Sequence, residues 1–162
     1  MTPDKSILIE DIRDMLMECD LFNNFSPSEI LSAARYFNVC HIEEGETIFN
    51  EGDDGTFMCI VNSGHVSILK TNQENEAVEI AKLREGRTFG EMAVLDGERR
   101  SATCVAATDC TLLILSKESL DKMVAEAPRT ASAVTRVVAV ALSKRLRMAD
   151  GKLVDRRRNA AY

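Results

Sequence analysis

The spacing of hydrophobic residues changes twice along the chain. Over residues 6–19 apolar side chains recur every three or four positions, which predicts a helix capped by Asp4 or Ser6. A second helix is predicted from Ser26, because a proline follows it and Glu29 holds the capping-box position. Two short helices therefore open the chain.

Short β-prone runs fill residues 38–115, separated by turns rich in glycine, asparagine and aspartate. The runs read ETIFN, FMCIVN, HVSILK, AVEIAKL, ATCVAA and CTLLILS. HVSILK and AVEIA nearly alternate apolar and polar residues, as half-exposed strands do, whereas CTLLILS is apolar on both faces. The pattern predicts a jelly-roll barrel of about eight antiparallel strands, with Asn62-Ser63-Gly64 as its tightest hairpin.

Helical spacing returns after residue 115. Ser116 is a predicted cap for one helix, and Pro128 opens another that we expect to end near Ala149, before Gly151. This last helix is apolar over most of its circumference and needs cover on two sides. We expect the barrel to cover one side and a second copy of the chain the other, in a two-fold dimer. The alternative is a helix covered wholly within one subunit.

Composition and charge narrow the class of protein. Of the 162 residues 45% are hydrophobic and 28% charged, without an apolar run long enough for a membrane span. The acidic start does not resemble a signal peptide, so a cytoplasmic protein is expected. Net charge is −9 over residues 1–151, a predicted single domain, and +3 over residues 152–162, a short basic tail. The tail is either a solvated terminus or a contact for an acidic partner, and the acidic body argues against general nucleic-acid binding.

Residues 87–103, RTFGEMAVLDGERRSAT, carry chemistry that a connection between strands does not need. Gly90 lets the backbone approach a ligand, and a short helix beginning at Glu91 would point its N–H groups at an anion. Arg100, at the far end, can close on that anion with charge-assisted hydrogen bonds. Glu91 would repel a phosphate unless it accepts a hydrogen bond from a hydroxyl group of the same ligand. The loop therefore indicates a site for a sugar phosphate or a nucleotide, with a decorated surface loop as the alternative.

The segment FGEMAVLDGERRSAT also resembles the phosphate-binding cassette of cyclic nucleotide-binding domains, and GETIFNEGDDGTFMCIVNSGHVSILK resembles the barrel signature of that family. The resemblance covers roughly residues 20–148, with both motifs in the family's order. It implies an α+β fold, a jelly-roll barrel between N-terminal helices and two C-terminal helices. Such domains serve as sensors in the bacterial catabolite activator protein and the regulatory subunit of protein kinase A. The implied ligand is cAMP or cGMP, with cAMP favoured and no other cofactor.

The resemblance also implies roles for single residues. Glu91 falls on the position that binds the ribose 2′-hydroxyl, beside the Gly90 backbone. Met92 and Ala93 fall where backbone N–H groups face the cyclic phosphate. Arg100 falls on the arginine that binds the phosphate.

The positions beside Arg100 leave two questions open. Arg99 stands where many members have proline, which leaves open which of the two arginines points inward, and Arg100 is the one we expect to do so. Ser101 offers its hydroxyl to the phosphate or to a guanine amino group, and bacterial cAMP receptors also carry serine there. The resemblance places the last helix over the base. The polar candidates on that helix are Ser132, Thr135 and Arg136.

An enzyme is one alternative class, because similar barrels hold catalytic metals. Metal-dependent relatives of this architecture need clustered histidine and carboxylate ligands, whereas His41 and His65 fall on separate predicted strands. The five cysteines show no CxxC spacing and are expected to be buried, reduced thiols. No nucleophile–base arrangement is evident either, so we expect neither catalysis nor a metal site.

Two further alternatives concern regulation. A DNA-binding regulator would need a helix-turn-helix domain, and only about a dozen residues follow Ala149. The chain is then either a stand-alone sensor, which the initial Met favours, or a piece of a longer protein. A degenerate domain that serves as a dimerising scaffold is the last alternative, and the intact Glu91 and Arg100 argue against it. The expected consequence of ligand binding is a rearrangement of the cassette, the C-terminal helices and the dimer, read by an unidentified downstream protein.

Overall fold

The computed structural model describes residues 1–159, with side chains through residue 156. The helices are α1 (Ile9–Glu18), α2 (Pro27–Ala34), α3 (Glu91–Asp96), α4 (Lys117–Glu126) and α5 (Pro128–Asn159), with a 3-10 turn at Asp20–Phe22. The strands are β1 (Asn38–Ile42), β2 (Thr47–Phe49), β3 (Phe57–Ser63), β4 (Val66–Thr71), β5 (Ala77–Leu83), β6 (Thr88–Phe89), β7 (Thr103–Ala106) and β8 (Cys110–Ser116).

The eight strands form two four-stranded antiparallel sheets, ordered β1-β8-β3-β6 and β2-β7-β4-β5. Strand β8 lies between β1 and β3, so that Leu113 has Val39 on one side and Ile60 on the other. Helices lie at both ends of the chain, before β1 and after β8. The predicted α+β class is therefore confirmed.

Strand β8 separates two hydrophobic clusters, which explains why CTLLILS is apolar on both faces. Leu113 and Leu115 pack with residues of the terminal helices, including Leu16 of α1 and Met123 of α4. Leu112 points the other way, into the cluster enclosed between the two sheets. A strand buried on both faces needs apolar residues at successive positions, because neighbouring side chains point to opposite sides.

The predicted hairpin at Asn62-Ser63-Gly64 is wrong. Strand β3 pairs with β6 and β8, whereas β4 pairs with β5 and β7, so this segment crosses from one sheet to the other. Gly64 has a φ of +88°, and a Cβ at this position would collide with the Asp109 carbonyl oxygen. The glycine is needed for the crossing, and the same local signal also suits a hairpin turn.

The two N-terminal helices, α1 and α2, are capped in different ways at their first turns. At α2 the Glu29 N–H donates to Ser26 Oγ at 3.3 Å, and the Ser26 N–H donates to the Glu29 carboxylate at 2.7 Å, which confirms the predicted capping box. The predicted cap of α1 is wrong. That helix begins at Ile9, and the N–H of Leu8 donates to the Asp11 carboxylate at 2.9 Å.

The last helix, α5, does not end near Ala149 as expected. It continues through Gly151 to Asn159. Inside a helix, glycine is about 1 kcal/mol less stable than alanine. This loss of stability is too small to end a helix by itself, and no proline follows Gly151. The predicted basic tail is thus helical through residue 159, and residues 160–162 lie outside the described residues. Along the described part of the chain, no helix combines the length and the apolar character needed to cross a bilayer.

All five cysteines are free and buried, as predicted. Burial raises the pKa of Cys104 to about 12 and that of Cys59 well above its usual range. Both thiols inside the barrel are therefore protonated at neutral pH, and they pack as small apolar side chains.

Candidate functional site

The loop singled out in the sequence runs from β6 through α3 to β7 and lies against the barrel. Gly90 precedes α3 with a φ of +75°, a conformation that favours glycine. A Cβ at this position would lie 2.7 Å from Arg100 Nη1 and 3.2 Å from the Phe49 ring. Gly90 therefore permits a close approach between the two ends of the loop.

Arg100 is buried in the barrel and only 3% exposed. Its guanidinium carbon lies 3.9 Å from the ring centroid of Phe49 and 4.7 Å from that of Phe57. Nη1 donates to the Gly90 carbonyl at 2.8 Å, and Nη2 donates to the Phe57 carbonyl at 2.6 Å. The charged group thus packs against two aromatic rings, by contacts in which a cation is attracted to the ring faces.

One donor of this guanidinium has no partner. Arg100 Nε is buried and makes no hydrogen bond among the described residues. Burial lowers the pKa of the Arg100 guanidinium below its usual range, and the group remains a cation at neutral pH. A buried cation with an unpaired N–H is an uncommon and costly arrangement, and an anionic ligand would relieve it.

The main chain of Arg100 is fixed by the turn between β2 and β3. The Arg100 N–H donates to the Asp53 carbonyl at 2.8 Å, and the Arg100 carbonyl accepts from the Gly52 N–H at 2.8 Å. Arg99 points the other way: its side chain is 72% exposed, donates to the Gly52 carbonyl at 3.0 Å and lies 3.3 Å from the Asp54 carboxylate. Of the two arginines, Arg100 is the one that points inward.

Glu91 is a buried carboxylate, 1% exposed. Its Oε1 accepts a hydrogen bond from Thr88 Oγ1 at 2.9 Å and forms an ion pair with Arg145 Nη2. Arg145 Nη1 also donates to the Thr88 carbonyl at 3.1 Å. An arginine of α5 therefore contacts the first residue of β6 and the first residue of α3 together.

Three neighbours of the loop were not anticipated from the sequence: Phe49, Phe57 and Arg145. The sequence does carry a signal for Arg145, which falls on the same face of α5 as the buried Val134 and Val138. A charged residue in phase with a buried apolar stripe suggests a buried partner of opposite charge. The two phenylalanines lie at ends of predicted strands, where nothing distinguishes them from ordinary core residues.

The remaining residues of the loop have different surroundings. Ala93 is buried, and the nearby Gly55 leaves room for it, whereas Met92 is 48% exposed. Ser101 is exposed, and its carbonyl accepts from Lys70 Nζ at 2.6 Å. Lys70 also pairs with Glu51 at 2.6 Å, so strand β4 braces the backbone directly after Arg100.

Within one chain, the three residues predicted to contact the base lie apart from Glu91 and Arg100. Ser132, Thr135 and Arg136 are exposed and line an apolar groove between α4 and α5, beside Val124. At 100° per residue, Ser132 and Arg136 lie on the opposite side of α5 from Arg145. Their contact with a base remains a prediction.

Within residues 1–156, no group of three histidine, cysteine, aspartate or glutamate side chains is arranged to hold a metal ion. Two arginines and one carboxylate that contact the loop are removed from solvent: Arg100 and Glu91 are buried and Arg145 is half-buried. This set is suited to hydrogen bonding with a ligand that carries both an anionic group and a hydroxyl group.

The fold and the loop together define a β-barrel domain that encloses a buried arginine and a buried glutamate. Residues 39–127, more than half of the chain, match the family model described as cyclic nucleotide-binding domain. The chain therefore belongs to the cyclic nucleotide-binding domain family, and the resemblance inferred from the sequence is confirmed.

Similar proteins include a cyclic AMP receptor protein and a protein kinase. The cyclic AMP receptor protein of Thermus thermophilus is 35% identical over 133 residues, which cover 82% of this chain and 60% of that protein. The cGMP-dependent protein kinase egl-4 of Caenorhabditis briggsae is 31% identical over 117 residues, which cover 71% of this chain and 16% of the kinase. The chain thus spans less than two thirds of either relative.

A solved structure has the same architecture over nearly the whole chain. It is a cyclic nucleotide-binding domain from Methylobacillus flagellatus, with a TM-score of 0.81 and 26% identity. The match covers 91% of this chain and 83% of that structure. The similarity therefore includes the terminal helices as well as the barrel.

Proposed function

We propose that this chain is a cyclic nucleotide sensor that binds cAMP or cGMP and does not catalyse a reaction. The observation that carries the proposal is the buried Arg100 guanidinium, whose Nε lacks a partner among the described residues. A phosphodiester is the anionic group common to both nucleotides. A guanidinium removed from water binds such a group strongly, because water no longer competes for its N–H donors.

The other groups of the loop take the remaining parts of the nucleotide in this proposal. Glu91 accepts a hydrogen bond from the ribose 2′-hydroxyl beside the Gly90 backbone. The backbone N–H groups of Met92 and Ala93, with the Ser101 hydroxyl, complete the phosphate contacts. These roles are supported by membership of the family and by the burial of Glu91 and Arg100 in one barrel.

cAMP is the favoured ligand. The supporting observation is the relative named cyclic AMP receptor protein, which is 35% identical over 82% of this chain. The relative named as a cGMP-dependent kinase matches a smaller share of this chain, 71%, at 31% identity. For this reason cGMP is the second candidate ligand. In this proposal the base lies against α5, where Ser132, Thr135 and Arg136 are its candidate partners.

We further propose that α5 forms a homodimer with a second copy of the chain. Ala139, Leu146 and Leu153 repeat at seven-residue intervals, with Thr135, Leu142 and Ala149 four residues before them. Such 4-3 spacing is typical of a coiled-coil seam. Leu146 is 64% exposed and Leu153 is 57% exposed, so the later part of this seam is uncovered within one chain, whereas Leu142 is half-buried against the core. Ligand binding would then change the arrangement of the two helices and the surface that a partner protein meets.

The proposal is tested by isothermal titration of the protein with cAMP, cGMP and cyclic di-GMP. The expected result is saturable binding of one nucleotide per chain, with cAMP tighter than cGMP and no binding of cyclic di-GMP at the same concentrations. Tighter binding of cGMP would reverse the proposed selectivity. A protein that is folded by circular dichroism and binds none of the three would instead be the dimerising scaffold.

A further inference from the structure

The rings of Phe49 and Phe57 form an aromatic corner against the guanidinium of Arg100. Phe49 ends β2 and Phe57 begins β3, on either side of the turn that also fixes the main chain of Arg100. The two ring centroids are 5.9 Å apart, and the ring planes are inclined at 68°. The guanidinium carbon lies over both rings, nearer to Phe49. One segment of the chain thus places both the backbone and the charged end of Arg100.

Arg100 forms no salt bridge with a carboxylate of the described residues. Its two described guanidinium hydrogen bonds go to the uncharged carbonyls of Gly90 and Phe57. Burial lowers the pKa of Arg100 by more than the neighbouring carboxylates of Asp53 and Glu91 raise it. A cation removed from water needs a compensating electrostatic contact. The faces of the two rings carry partial negative charge and supply that contact.

Contact with a ring face differs from contact with a carboxylate in what it leaves free. A carboxylate would accept hydrogen bonds from the edge of the guanidinium and would cancel its charge. A ring face attracts the cation but carries no net charge. Among the described residues, Arg100 Nε also keeps an N–H without a partner. The positive charge and this donor therefore remain available to an anion that enters the barrel.

The aromatic corner also restricts the movement of the guanidinium. Phe49 is buried and packs against Phe89 of β6, with 5.9 Å between the ring centroids. Gly90 closes in on the same ring, since a Cβ at this position would lie 3.2 Å from Phe49. An arginine side chain that is ordered only when a ligand binds lowers the affinity, because the lost rotamer freedom opposes binding. Here the ring contacts fix Arg100 in advance.

We propose that Phe49 and Phe57 are positioning residues for the phosphate. Their ring faces hold the Arg100 guanidinium as a buried, preorganised cation, and they leave its charge and its Nε donor for the ligand. This inference deepens the proposed function and rests on it, because the anion in question is the cyclic phosphate. Phe49 is nearer to the guanidinium and more buried than Phe57, so its contribution should be the larger one.

The test replaces single rings by fluorinated phenylalanines, which keep nearly the same shape and withdraw negative charge from the ring face. Rings with one, two and three fluorine atoms are introduced in place of Phe49, of Phe57 and, as the control, of Phe22. Phe22 is buried and packs edge-to-face against Phe25 and Phe37, and no cation of the described residues lies over its ring. Each protein is titrated with cAMP by isothermal calorimetry.

At position 49 the affinity for cAMP should fall stepwise with the number of fluorine atoms, by about threefold or more for the trifluorinated ring. The reason is that a guanidinium held less firmly in the free protein must be ordered on binding. A smaller stepwise fall is expected at position 57, and none at position 22. A ring with only a structural role would not order the affinities by fluorine content. Circular dichroism checks that each variant is folded, and the two positions provide independent series.

Each other outcome contradicts a particular claim. Equal affinities along both series, at positions 49 and 57, would refute the positioning role. Tighter binding with added fluorine would show that the rings hold Arg100 back from the phosphate. A fall at position 22 as large as that at position 49 would mean that fluorination acts through stability alone. If the folded wild type does not bind cAMP, the proposed function fails, whereas wild-type binding with no dependence on fluorine content refutes only the inference about the two rings.

Discussion

Arg99 and Arg100 are adjacent in the sequence and have opposite surroundings. Arg100 packs against the rings of Phe49 and Phe57, with its guanidinium inside the barrel, whereas Arg99 is solvated beside Asp54. The backbone hydrogen bonds of Arg100 with the turn between β2 and β3 fix the direction of both side chains, with Arg100 pointing inward and Arg99 outward. The energetic consequence of losing either side chain should differ accordingly.

We expect Arg100→Leu to weaken cAMP binding by about 2–5 kcal/mol, the range for removing one member of a buried charge pair. Arg99→Leu should change it by less than about 1 kcal/mol, as is usual for an exposed ion pair. Isothermal titration measures both. Arg100→Lys is the control. It keeps the positive charge and loses the contacts of the guanidinium with the two rings, so it separates the effect of charge from that of packing. A larger effect for Arg99→Leu than for Arg100→Leu would contradict the assignment of the phosphate arginine.

The critical residues of the loop differ in how far the sequence reveals them. Gly90, Glu91 and Arg100 lie within eleven positions, and the chemistry of a glycine, a carboxylate and an arginine is legible in such a short segment. Arg145 is a different case, since its partner Glu91 is distant in sequence and near only in the folded chain. Helical phase suggests that Arg145 points inward, but it does not identify what it meets.

At the scale of elements, helix α5 has one face that packs into the core and another apolar face that is exposed. One face packs into the core through Val134 and Val138, and it continues to the ion pair at Arg145. Another face carries the exposed Leu146 and Leu153. Exposed leucines at seven-residue spacing on a helix that extends past the barrel favour a helix–helix interface.

A charge on that face should break the proposed dimer. Leu146→Glu should weaken association by about 2 kcal/mol or more, about 30-fold, because it places a carboxylate in an apolar seam. Sedimentation equilibrium measures the change. Met148→Glu is the matched control, since Met148 is 61% exposed and lies on the other side of α5. Equal dissociation constants for Leu146→Glu and Met148→Glu would contradict the seam, and a monomeric wild type at tens of micromolar would contradict the dimer.

At the scale of the whole molecule, the site joins parts of the chain that belong to different layers. Phe49 comes from one sheet, Phe57 and Thr88 from the other, and Arg145 from α5, where its side chain donates to the Thr88 carbonyl. A ligand bound among them holds the two sheets and α5 together. Its binding energy therefore adds to the stability of the folded state.

Saturating cAMP should raise the midpoint of thermal unfolding. At a hundred times the dissociation constant the added stability is about 2.7 kcal/mol, which corresponds to roughly 5–10 °C for a chain of this size. Differential scanning calorimetry with cAMP, and with 5′-AMP as the control, measures the shift. Arg100→Leu at the same cAMP concentration should show little of it. Equal protection of the wild type and Arg100→Leu would place the ligand elsewhere on the molecule.

The sequence by itself determined the features whose causes are local. The two-sided apolar run of β8, the capping box at Ser26 and Glu29, and the short helix after Gly90 follow from side-chain spacing and backbone preference, and the structure confirms them. Fold class follows from the same patterns, because eight short strands between helices bury their apolar faces most simply as two packed sheets.

Only the tertiary structure decided which distant segments meet. Asn62-Ser63-Gly64 has the sequence of a hairpin, yet it crosses between sheets because β3 and β4 each pair with strands elsewhere in the chain. In the same way, α5 continues past Gly151, and Arg145 reaches Glu91. Which of these contacts form depends on the free energy of the whole assembled core, because many long-range pairings compete. A local segment of sequence does not determine which pairing is the most stable.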